Sequence, residues 1–332
     1  TNKQIWQITY PVLISLLMEH MIGLTDTAYL GRVGEVELGA SALAGVYYLV
    51  IYMLGFGFSV GAQVLIARRN GAHDYTRIGP VFMQGTLFLL LLAAVLFTAS
   101  HLYSPSILRK LIGSDDVYRA TMSYVDWRVY GFFFSFVAVM FRAFYVGITK
   151  TKILTVNSVV MVLTNVMLNY VLIFGKFGLP ALGIAGAAMA TAMGQIIGGT
   201  IPLVYFLRKN SSSLRLRRPK WDGGALRRAC TNGVSELMSS ISMSIVGMLY
   251  NAQLMRYAGE NGVAAYGTIM YVDFIFLAIF IGYATGVAPV ISYHYGAGNK
   301  KELNNLLKRS VVLIAAASLS MLLLSEVMAA PL

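Results

Sequence analysis

Long, almost uncharged apolar segments recur along this chain, and they constrain its fold more than any other feature. Each is about as long as the roughly 20 residues that a helix needs to cross a bilayer. Charged residues make up only 12% of the sequence, against about 25% in soluble domains. We therefore predict an all-α, polytopic membrane protein with nine spans. The predicted spans are Ile5–Tyr29, Leu38–Ile66, Val81–Leu102, Ser123–Gly147, Ile153–Phe174, Gly183–Leu207, Thr231–Met255, Val263–Tyr293 and Val311–Met328.

The placement of basic residues between these spans predicts the orientation. Most Lys and Arg residues fall in the loops on one side, including the stretches 208–228 and 300–309. Because cytoplasmic loops are enriched in Lys and Arg, we expect a multi-pass protein of the cell membrane with a cytoplasmic amino terminus. The net charge of +12 then reflects topology, so no nucleic-acid partner is expected. The bilayer is the expected surrounding, and a monomer the expected state.

The second part of the chain repeats the first with an offset of 225 residues and no gaps. The aligned glycine pairs are Gly57 with Gly282, Gly61 with Gly286, and Gly71 with Gly296. Transporters are commonly built from such repeats, with the substrate site between them. We predict a six-helix lobe over residues 1–207, a basic cytoplasmic linker over 208–230 and an incomplete three-helix lobe over 231–332. A complete second lobe would continue for about a hundred residues more.

Two of the repeated glycines, Gly57 and Gly61, lie in the sequence G-F-S-V-G, which matches the G-x-S-x-G of hydrolases. That nucleophile motif requires a strand, a sharp turn and a helix, whereas this copy lies in a continuous apolar segment. The same letters form a Gly-x-x-x-Gly stripe, which lets two membrane helices approach closely. We therefore predict helix packing, not catalysis, at this position.

One carboxylate, Asp26, lies deep in the first span, where a charge costs a few kcal/mol. Glu19 precedes it by two helical turns and lies on nearly the same face. Because intramembrane ionisable residues usually mark substrate or ion pathways, we interpret Asp26 as the centre of a site. The alternative is that Asp26 lies near the outer headgroups and caps the end of its helix.

Polar side chains also occur in the fifth and sixth spans. Asn165 and Asn169 are one turn apart on one face, and Thr191 and Gln195 are spaced in the same way. Buried amides need hydrogen-bond partners. A carboxylate or a bound solute could supply them, and plain interhelical hydrogen bonds are an equal alternative.

The remaining intramembrane charges are two acids in the second lobe, Glu236 and Asp273, and two arginines in the fourth span, Arg128 and Arg142. For the acids, a site role and a structural pairing with neighbouring Ser, Tyr or Asn stay open. The arginines lie near opposite ends of their span, from which long side chains can reach the interface. We interpret them as topological anchors.

Five sequence stretches occur in order along the chain and together resemble one transporter family. They are Pro11 with D-T-A-Y-L-G, R-R-N-G-A at 68–72, V-G-I-T-K-T-K at 146–152, the run from N-V-M-L-N-Y to L-G-I-A-G-A-A-M-A-T at 165–191, and G-V-A-P-V-I-S-Y-H-Y-G-A-G-N at 286–299. The chain resembles the multidrug and toxic compound extrusion (MATE) family. The resemblance implies a secondary antiporter of two six-helix lobes around a central cavity. It also implies export of small organic cations in exchange for H⁺ or Na⁺, with no other cofactor.

The family's first-span acid matches Asp26, and its fifth-span polar pair matches Asn165 and Asn169. Some members carry an acid where this chain has Asn169, so a purely two-carboxylate proton site is not implied. Our hypothesis is that Asp26 is the proton- or cation-coupling residue and that Asn165, Asn169 and Thr191 shape its site. Further candidates for a substrate site or a second-lobe cation site are Glu19, Gln63, Glu236 and Asp273.

Burial of a carboxylate favours its protonated form, so such a group can exchange a proton for a lipophilic cation. One rival is a flippase for lipid-linked precursors, whose cavity should be lined by Arg and Lys. The mid-membrane charges are mainly acids, which favours a cationic ligand instead. A membrane-embedded enzyme is the second rival, but the four histidines show no metal spacing and no nucleophile–base set is present. We predict a transporter, not an enzyme.

Overall fold

The computed structural model of the chain describes residues 2–208 and 221–329. In that part of the chain there are helices and no strands, so the predicted all-α class is confirmed. The helices are α1 (Asn2–Leu30), α2 (Glu35–Gly71), α3 (Ile78–Leu111), α4 (Asp115–Arg128), α5 (Gly131–Gly147), α6 (Lys152–Phe174), α7 (Ile184–Leu207), α8 (Gly223–Gly296) and α9 (Lys300–Ala329). Six described helices are long and apolar enough to cross a bilayer, or seven if the bent pair α4–α5 counts as one span. The chain is a multi-pass membrane protein.

The hydrophobic core lies mainly between α2, α3 and α5. Its largest fully buried side chains include four phenylalanines of α5, which are Phe132, Phe136, Phe141 and Phe144. By contrast, the most apolar stretch of α9 is 0% buried within the described protein. The core therefore belongs to the first part of the chain, and α9 presents an apolar surface suited to lipid.

The predicted fourth span, Ser123–Gly147, is not one helix. It is divided into α4 and α5, which are bent by 53° at the break. At the break, the amide oxygen of Gln195 in α7 lies against Gly131, the first residue of α5. The bend changes the direction of the chain directly after Arg128, the last residue of α4.

The run α8 joins the predicted seventh and eighth spans without a loop between them. Gly259 alone departs from helical geometry, with φ 64° and ψ −159°. Positive φ values of this kind are readily adopted only by glycine. Gly259 therefore separates α8 into two helical segments close to the predicted gap at residues 256–262.

The predicted linker, residues 208–230, is shorter than its composition indicated. Residues 209–220 lie outside the described part of the chain, but α8 already begins at Gly223. The helix starts there because the Asp222 side chain accepts a hydrogen bond from the backbone N–H of Ala225 at 3.0 Å. Gln84 exchanges two hydrogen bonds of 2.9 Å with the backbone of Asp222, and Arg69 pairs with its carboxylate at 3.3 Å. The start of α8 is thereby fixed against α2 and α3.

Replacing Asp222 by alanine is expected to destabilise the protein by about 1 kcal/mol, the usual effect of removing a helix cap. The Ala225 N–H and then Arg69 hold the pKa of the Asp222 carboxyl below its ordinary value of 3.8. The ionic part of the stabilisation is therefore present at neutral pH and is lost as the pH falls below 3.8. Asp222→Asn keeps a capping side chain but not the charge, so its unfolding temperature should be lower than that of wild type near pH 7, and the difference should shrink as the pH falls further below 3.8. A difference that did not depend on pH would contradict this account.

The sequence repeat reappears in how the helices pack. A Cβ on Gly61 of α2 would lie 2.8 Å from the backbone nitrogen of Gly233 in the first segment of α8. A Cβ on Gly286, the repeat partner of Gly61, would lie 2.8 Å from the Cα of Thr9 in α1. So α2 packs on the first segment of α8, and the second segment of α8 packs on α1. The close helix approach predicted for the Gly-x-x-x-Gly stripe is present.

A second reciprocal contact closes the end of the bundle that carries Arg68 and Arg69, which we call the basic end. Gly71 lies against the carbonyl of Tyr293, and Gly296 lies against the carbonyl of Arg68. These two contacts are related by the same offset of 225 residues. A Cβ at either glycine would approach a backbone carbonyl carbon to 2.6 or 2.8 Å. Only glycine fits at both positions, so the ends of α2 and α8 meet directly.

The first half of α1 is held against α6 by hydroxyl groups. Pro11 has no N–H and therefore cannot bond the carbonyl of Gln7. Thr151 donates to that carbonyl at 3.3 Å, and Thr155 donates to the carbonyl of Pro11 at 3.4 Å. Backbone groups without partners are costly in a bilayer, so these contacts stabilise a proline inside a membrane helix. They also fix the register of α1 against α6.

Candidate functional site

Asp26, in the second half of α1, is 7% exposed and lies against α6 and α7. The amide nitrogen of Asn169 donates to its Oδ1 at 2.6 Å. The hydroxyl of Thr191 donates to its Oδ2 at 2.8 Å. Both carboxylate oxygens therefore have partners on other helices, and the side chain does not cap its own helix.

Asn165 completes the site. Its Oδ1 accepts from Asn169 at 3.0 Å, and its Nδ2 donates to the hydroxyl of Thr191 at 3.0 Å. Asn165 and Asn169 are 0% exposed and Thr191 is 2% exposed. We call these three residues with Asp26 the Asp26 ring. The sequence left open whether the amides bond a carboxylate or other helices, and here they do both.

The connection between α6 and α7 brings the ring together. Gly175 ends α6 in the left-handed conformation, with φ 67°, and the returning chain bonds Leu182 N–H to Leu172 O at 2.9 Å. A Cβ on Gly186, in the first turn of α7, would lie 2.6 Å from the carbonyl oxygen of Leu172. The two helices therefore run closely antiparallel, which places Thr191 opposite the asparagines.

A cavity of about 670 Å³ adjoins the Asp26 ring. Its walls include the second half of α1, the first half of α2 and the first half of α6, so it extends from the half of the bundle remote from the basic end past the middle of the bundle. Tyr48 and Tyr52 contribute aromatic surface. The charged side chains that line it are Glu19, Asp26, Arg128 and Arg142. The site is therefore a mixed polar and apolar cavity with both signs of charge.

The interpretation of Arg128 and Arg142 as topological anchors is wrong. Arg142 lies in the buried α5 and forms an ion pair with Glu19. Arg128, at the bend between α4 and α5, lies over the ring of Tyr48, 4.0 Å from its centroid. Both line the cavity, one on each side of the 53° bend between α4 and α5. The sequence contains both basic and acidic residues inside the predicted spans. Pairing these bases with these acids could have indicated that the arginines face the interior of the bundle.

The other predicted site residues are placed differently. Glu19 lines the cavity, whereas Gln63 is buried in α2 and is not among the lining residues. Glu236 and Asp273 are exposed on α8. Asp273 borders a separate space of about 570 Å³ between the two segments of α8. In the described ranges, no group of three or more His, Cys, Asp and Glu side chains could hold a metal ion.

Comparison with known proteins decides the family. A family model described as MatE matches residues 11–171 and 237–332, which is most of the chain. The chain belongs to the MATE family. MATE proteins are membrane transporters, in agreement with the helical fold and the cavity.

Relatives of this MATE protein include bacterial proteins that are named for multidrug resistance or multidrug export. It is 26% identical over 308 residues to a protein named "Probable multidrug resistance protein NorM" from Idiomarina loihiensis, covering 89% of this chain and 64% of that protein. It is 25% identical over 316 residues to "Multidrug export protein MepA" from Staphylococcus haemolyticus, covering 94% and 68%. The chain thus spans about two thirds of the length of these relatives.

Solved structures show the same fold. A crystal structure of MATE in the bent conformation aligns with a TM-score of 0.92 at 21% identity, covering 99% of this chain and 73% of that one. An outward-facing conformation of a multidrug resistance MATE family transporter aligns with a TM-score of 0.90 at 21% identity, covering 97% and 71%. At this identity the likeness concerns the MATE fold alone.

Thr191→Val is expected to slow export by about tenfold, because it removes one hydrogen bond to a charged group. The valine has nearly the same shape, so the packing of α7 should persist. The matched control is Thr200→Val on the same helix, since Thr200 donates only to its own helix, at Ile196 O. Initial efflux rates at equal protein abundance would show the difference. Equal rates for the two variants would show that Thr191 has no specific role in the site.

Proposed function

We propose that this MATE protein exports small organic cations across the cell membrane in exchange for H⁺ or Na⁺, by alternating access. One observation carries the proposal: the buried carboxylate of Asp26, held by donors from two other helices, lies beside a cavity of about 670 Å³. The names of the relatives, multidrug resistance and multidrug export proteins, support the substrate class.

The cavity offers two attractions to a lipophilic cation. The ionised carboxylate of Asp26 attracts its charge in surroundings of low dielectric constant. The faces of Tyr48 and Tyr52 offer cation–π contacts. A lipophilic cation would bind through both the carboxylate and the tyrosine rings, and neutralising the carboxylate would lower its affinity.

Protonation of Asp26 would release the cation. The protonated acid is itself a donor and needs an acceptor. Asn169 can provide one, because its Oδ1 is buried without a hydrogen-bond partner in the described part of the chain. Rotation of the Asn169 amide would present that oxygen to the acid. Asn169 can therefore donate a hydrogen bond to the ionised Asp26 and accept one from the protonated Asp26.

The packing supports an outward-facing state. The glycine contacts close the basic end, and the cavity extends into the opposite half of the bundle. Placing the basic end in the cytoplasm follows the rule for Lys and Arg and puts the amino terminus there as well. Opening to the cytoplasm would then require α2 and α8 to separate at Gly71 and Gly296.

The flippase alternative expected a cavity lined by Arg and Lys, and Arg128 and Arg142 meet that description in part. The cavity also contains two acids, however: Glu19, which pairs with Arg142, and Asp26. A cavity with no net positive charge does not favour a pyrophosphate, which is bound best by uncompensated guanidinium and ammonium groups. The cation exporter remains the better supported function.

Ethidium efflux from cells expressing the natural protein tests the proposal. Cells would be loaded with dye and given either an imposed proton gradient or an imposed sodium gradient. Export that follows one gradient and not the other supports antiport and identifies the coupling ion. Dye retention under both gradients, equal to that of cells without the protein, would overturn the proposal.

A further inference from the structure

The two lobes meet at the basic end along two seams, and each seam has its own buried apolar side chains. In the first seam, the start of α8 packs on α2 and α3, and Ala225 and Ala229 belong to the main core. In the second seam, the start of α1 packs on the end of α8. The apolar cluster of the second seam consists of Ile5, Ile8, Val287, Val290 and Leu306. The first helix of each lobe therefore begins against the other lobe.

The first seam also contains a polar cluster. Gln84 of α3 is 1% exposed, and both groups of its amide bond the backbone of Asp222 at 2.9 Å. The Arg69 side chain of α2 is 12% exposed and pairs with the Asp222 carboxylate through Nη2, while its Nη1 donates to the carbonyl of Arg77 at 2.8 Å. We call Arg69, Gln84 and Asp222 the polar latch. It ties the start of the second lobe to two helices of the first.

The second seam does not repeat this cluster. At the offset of 225 residues, Arg69 corresponds to His294 and Gln84 corresponds to Arg309. The second seam is packed through Gly286, which lies against Thr9, and through its apolar cluster. The two repeats therefore share their helix packing but differ in the chemistry of the seams.

A polar contact between two moving bodies is suited to reversible opening. In the closed seam, the buried Gln84 amide is shielded from water and bonds Asp222 instead. Once the seam opens, water can bond the amide, the Asp222 backbone and the charged pair, so the net change in free energy for each broken bond is small. Removing one partner has a larger effect, because a buried polar group that is left unpaired destabilises the closed form.

We propose that the polar latch keeps the first seam closed and thereby sets the fraction of the protein that is outward-facing. Arg69 and Gln84 are positioning residues, because they hold the start of α8 and are not among the residues that line the cavity. This inference rests on the alternating access of the proposed function and adds a contact that controls it.

The single cysteine of the chain, Cys230, can report opening of the first seam. It is half-buried and follows Ala229, whose carbonyl lies against Gly61 of α2. Alkylation by a maleimide would be timed in the purified protein. Gln84→Leu should speed alkylation of Cys230 about tenfold, the effect of leaving buried polar groups unpaired. Arg69→Gln should speed it only about threefold, because the Asp222 carboxylate is 45% exposed.

A second cysteine separates opening from unfolding. Ala42 is exposed and lines the cavity, so Ala42→Cys, combined with Cys230→Ser, reports the outward-facing state. Gln84→Leu should slow alkylation at this position while it speeds alkylation of Cys230, whereas unfolding would speed both. The matched control is Thr86→Val, since Thr86 of α3 donates within its own helix, to Phe82 O at 2.8 Å. Both rates should keep their natural values in that control.

The labelling and transport results test different statements. An unchanged Cys230 rate in Gln84→Leu, or faster alkylation at both cysteines, would overturn the inference about the polar latch. If the natural protein still exported ethidium under one gradient, the proposed function would stand without it. Opposite changes at the two cysteines, in a protein that exported under neither gradient, would support the latch and count against the proposed function.

Discussion

Asp26→Asn is expected to abolish gradient-driven export, lowering the efflux rate by about a hundredfold, the upper part of the range for energetic coupling between sites. The substitution removes the negative charge that would attract a cation and the proton that would displace it. The protein should still fold, because asparagine has the same shape and its amide can bond Asn169 and Thr191 in the places of the carboxylate oxygens.

Ethidium efflux under the effective gradient, with protein abundance and monodispersity measured in parallel, would check this expectation. Asp116→Asn is the matched control, since Asp116 is an exposed aspartate in the first turn of α4. Its efflux rate should equal that of the natural protein. Undiminished export by Asp26→Asn would show that the coupling site lies elsewhere.

Gly61→Leu is expected to have the largest effect on assembly. The new side chain would begin in contact with the carbonyl oxygen of Ala229 and 2.8 Å from the backbone nitrogen of Gly233. Backbone atoms in a helix cannot turn aside as side-chain ends do, so α2 and α8 would have to separate. Overpacking usually costs about 1–3 kcal/mol and more where the backbone must move. We expect little monodisperse protein and a clearly lowered unfolding temperature.

The matched control for this prediction is Gly39→Leu on the same helix. Gly39 is exposed, and a Cβ added there would meet nothing within 4 Å. Its yield and unfolding temperature should be close to those of the natural protein. If Gly61→Leu behaved like this control, the contact between α2 and the first segment of α8 would not be needed for assembly.

The sequence was informative where a short-range pattern determines the structure. The spacing of Asn165 and Asn169 places both amides on one face, and the depth of Asp26 in an apolar run indicates that it needs partners. Their meeting depends on one tight turn between α6 and α7, whose glycines are readable as turn residues. For these reasons, together with the family resemblance, the sequence predicts which residues form the Asp26 ring.

Other features depend on contacts between distant residues, which no local pattern contains. The amide oxygen of Gln195 lies against Gly131 at the bend before α5, and Asp222 at the start of α8 meets Arg69 and Gln84. Arg142 meets Glu19 and Arg128 lies over Tyr48, both on other helices. The interpretation of the arginines as anchors was wrong because the sequence does not show which residues of other helices they contact.

The reciprocal contacts of Gly71 and Gly296 have an energetic consequence for the basic end. Both contacts join the same two helix ends, so a displacement that relieves one relieves the other. The effects of Gly71→Ala and Gly296→Ala should then fail to add, because the first substitution already forces the separation that the second requires. The two contacts behave as one thermodynamic unit with two halves, one contributed by each repeat. We therefore expect α2 and α8 to separate at both glycines together, and unfolding temperatures of the two single variants and the double variant would test this.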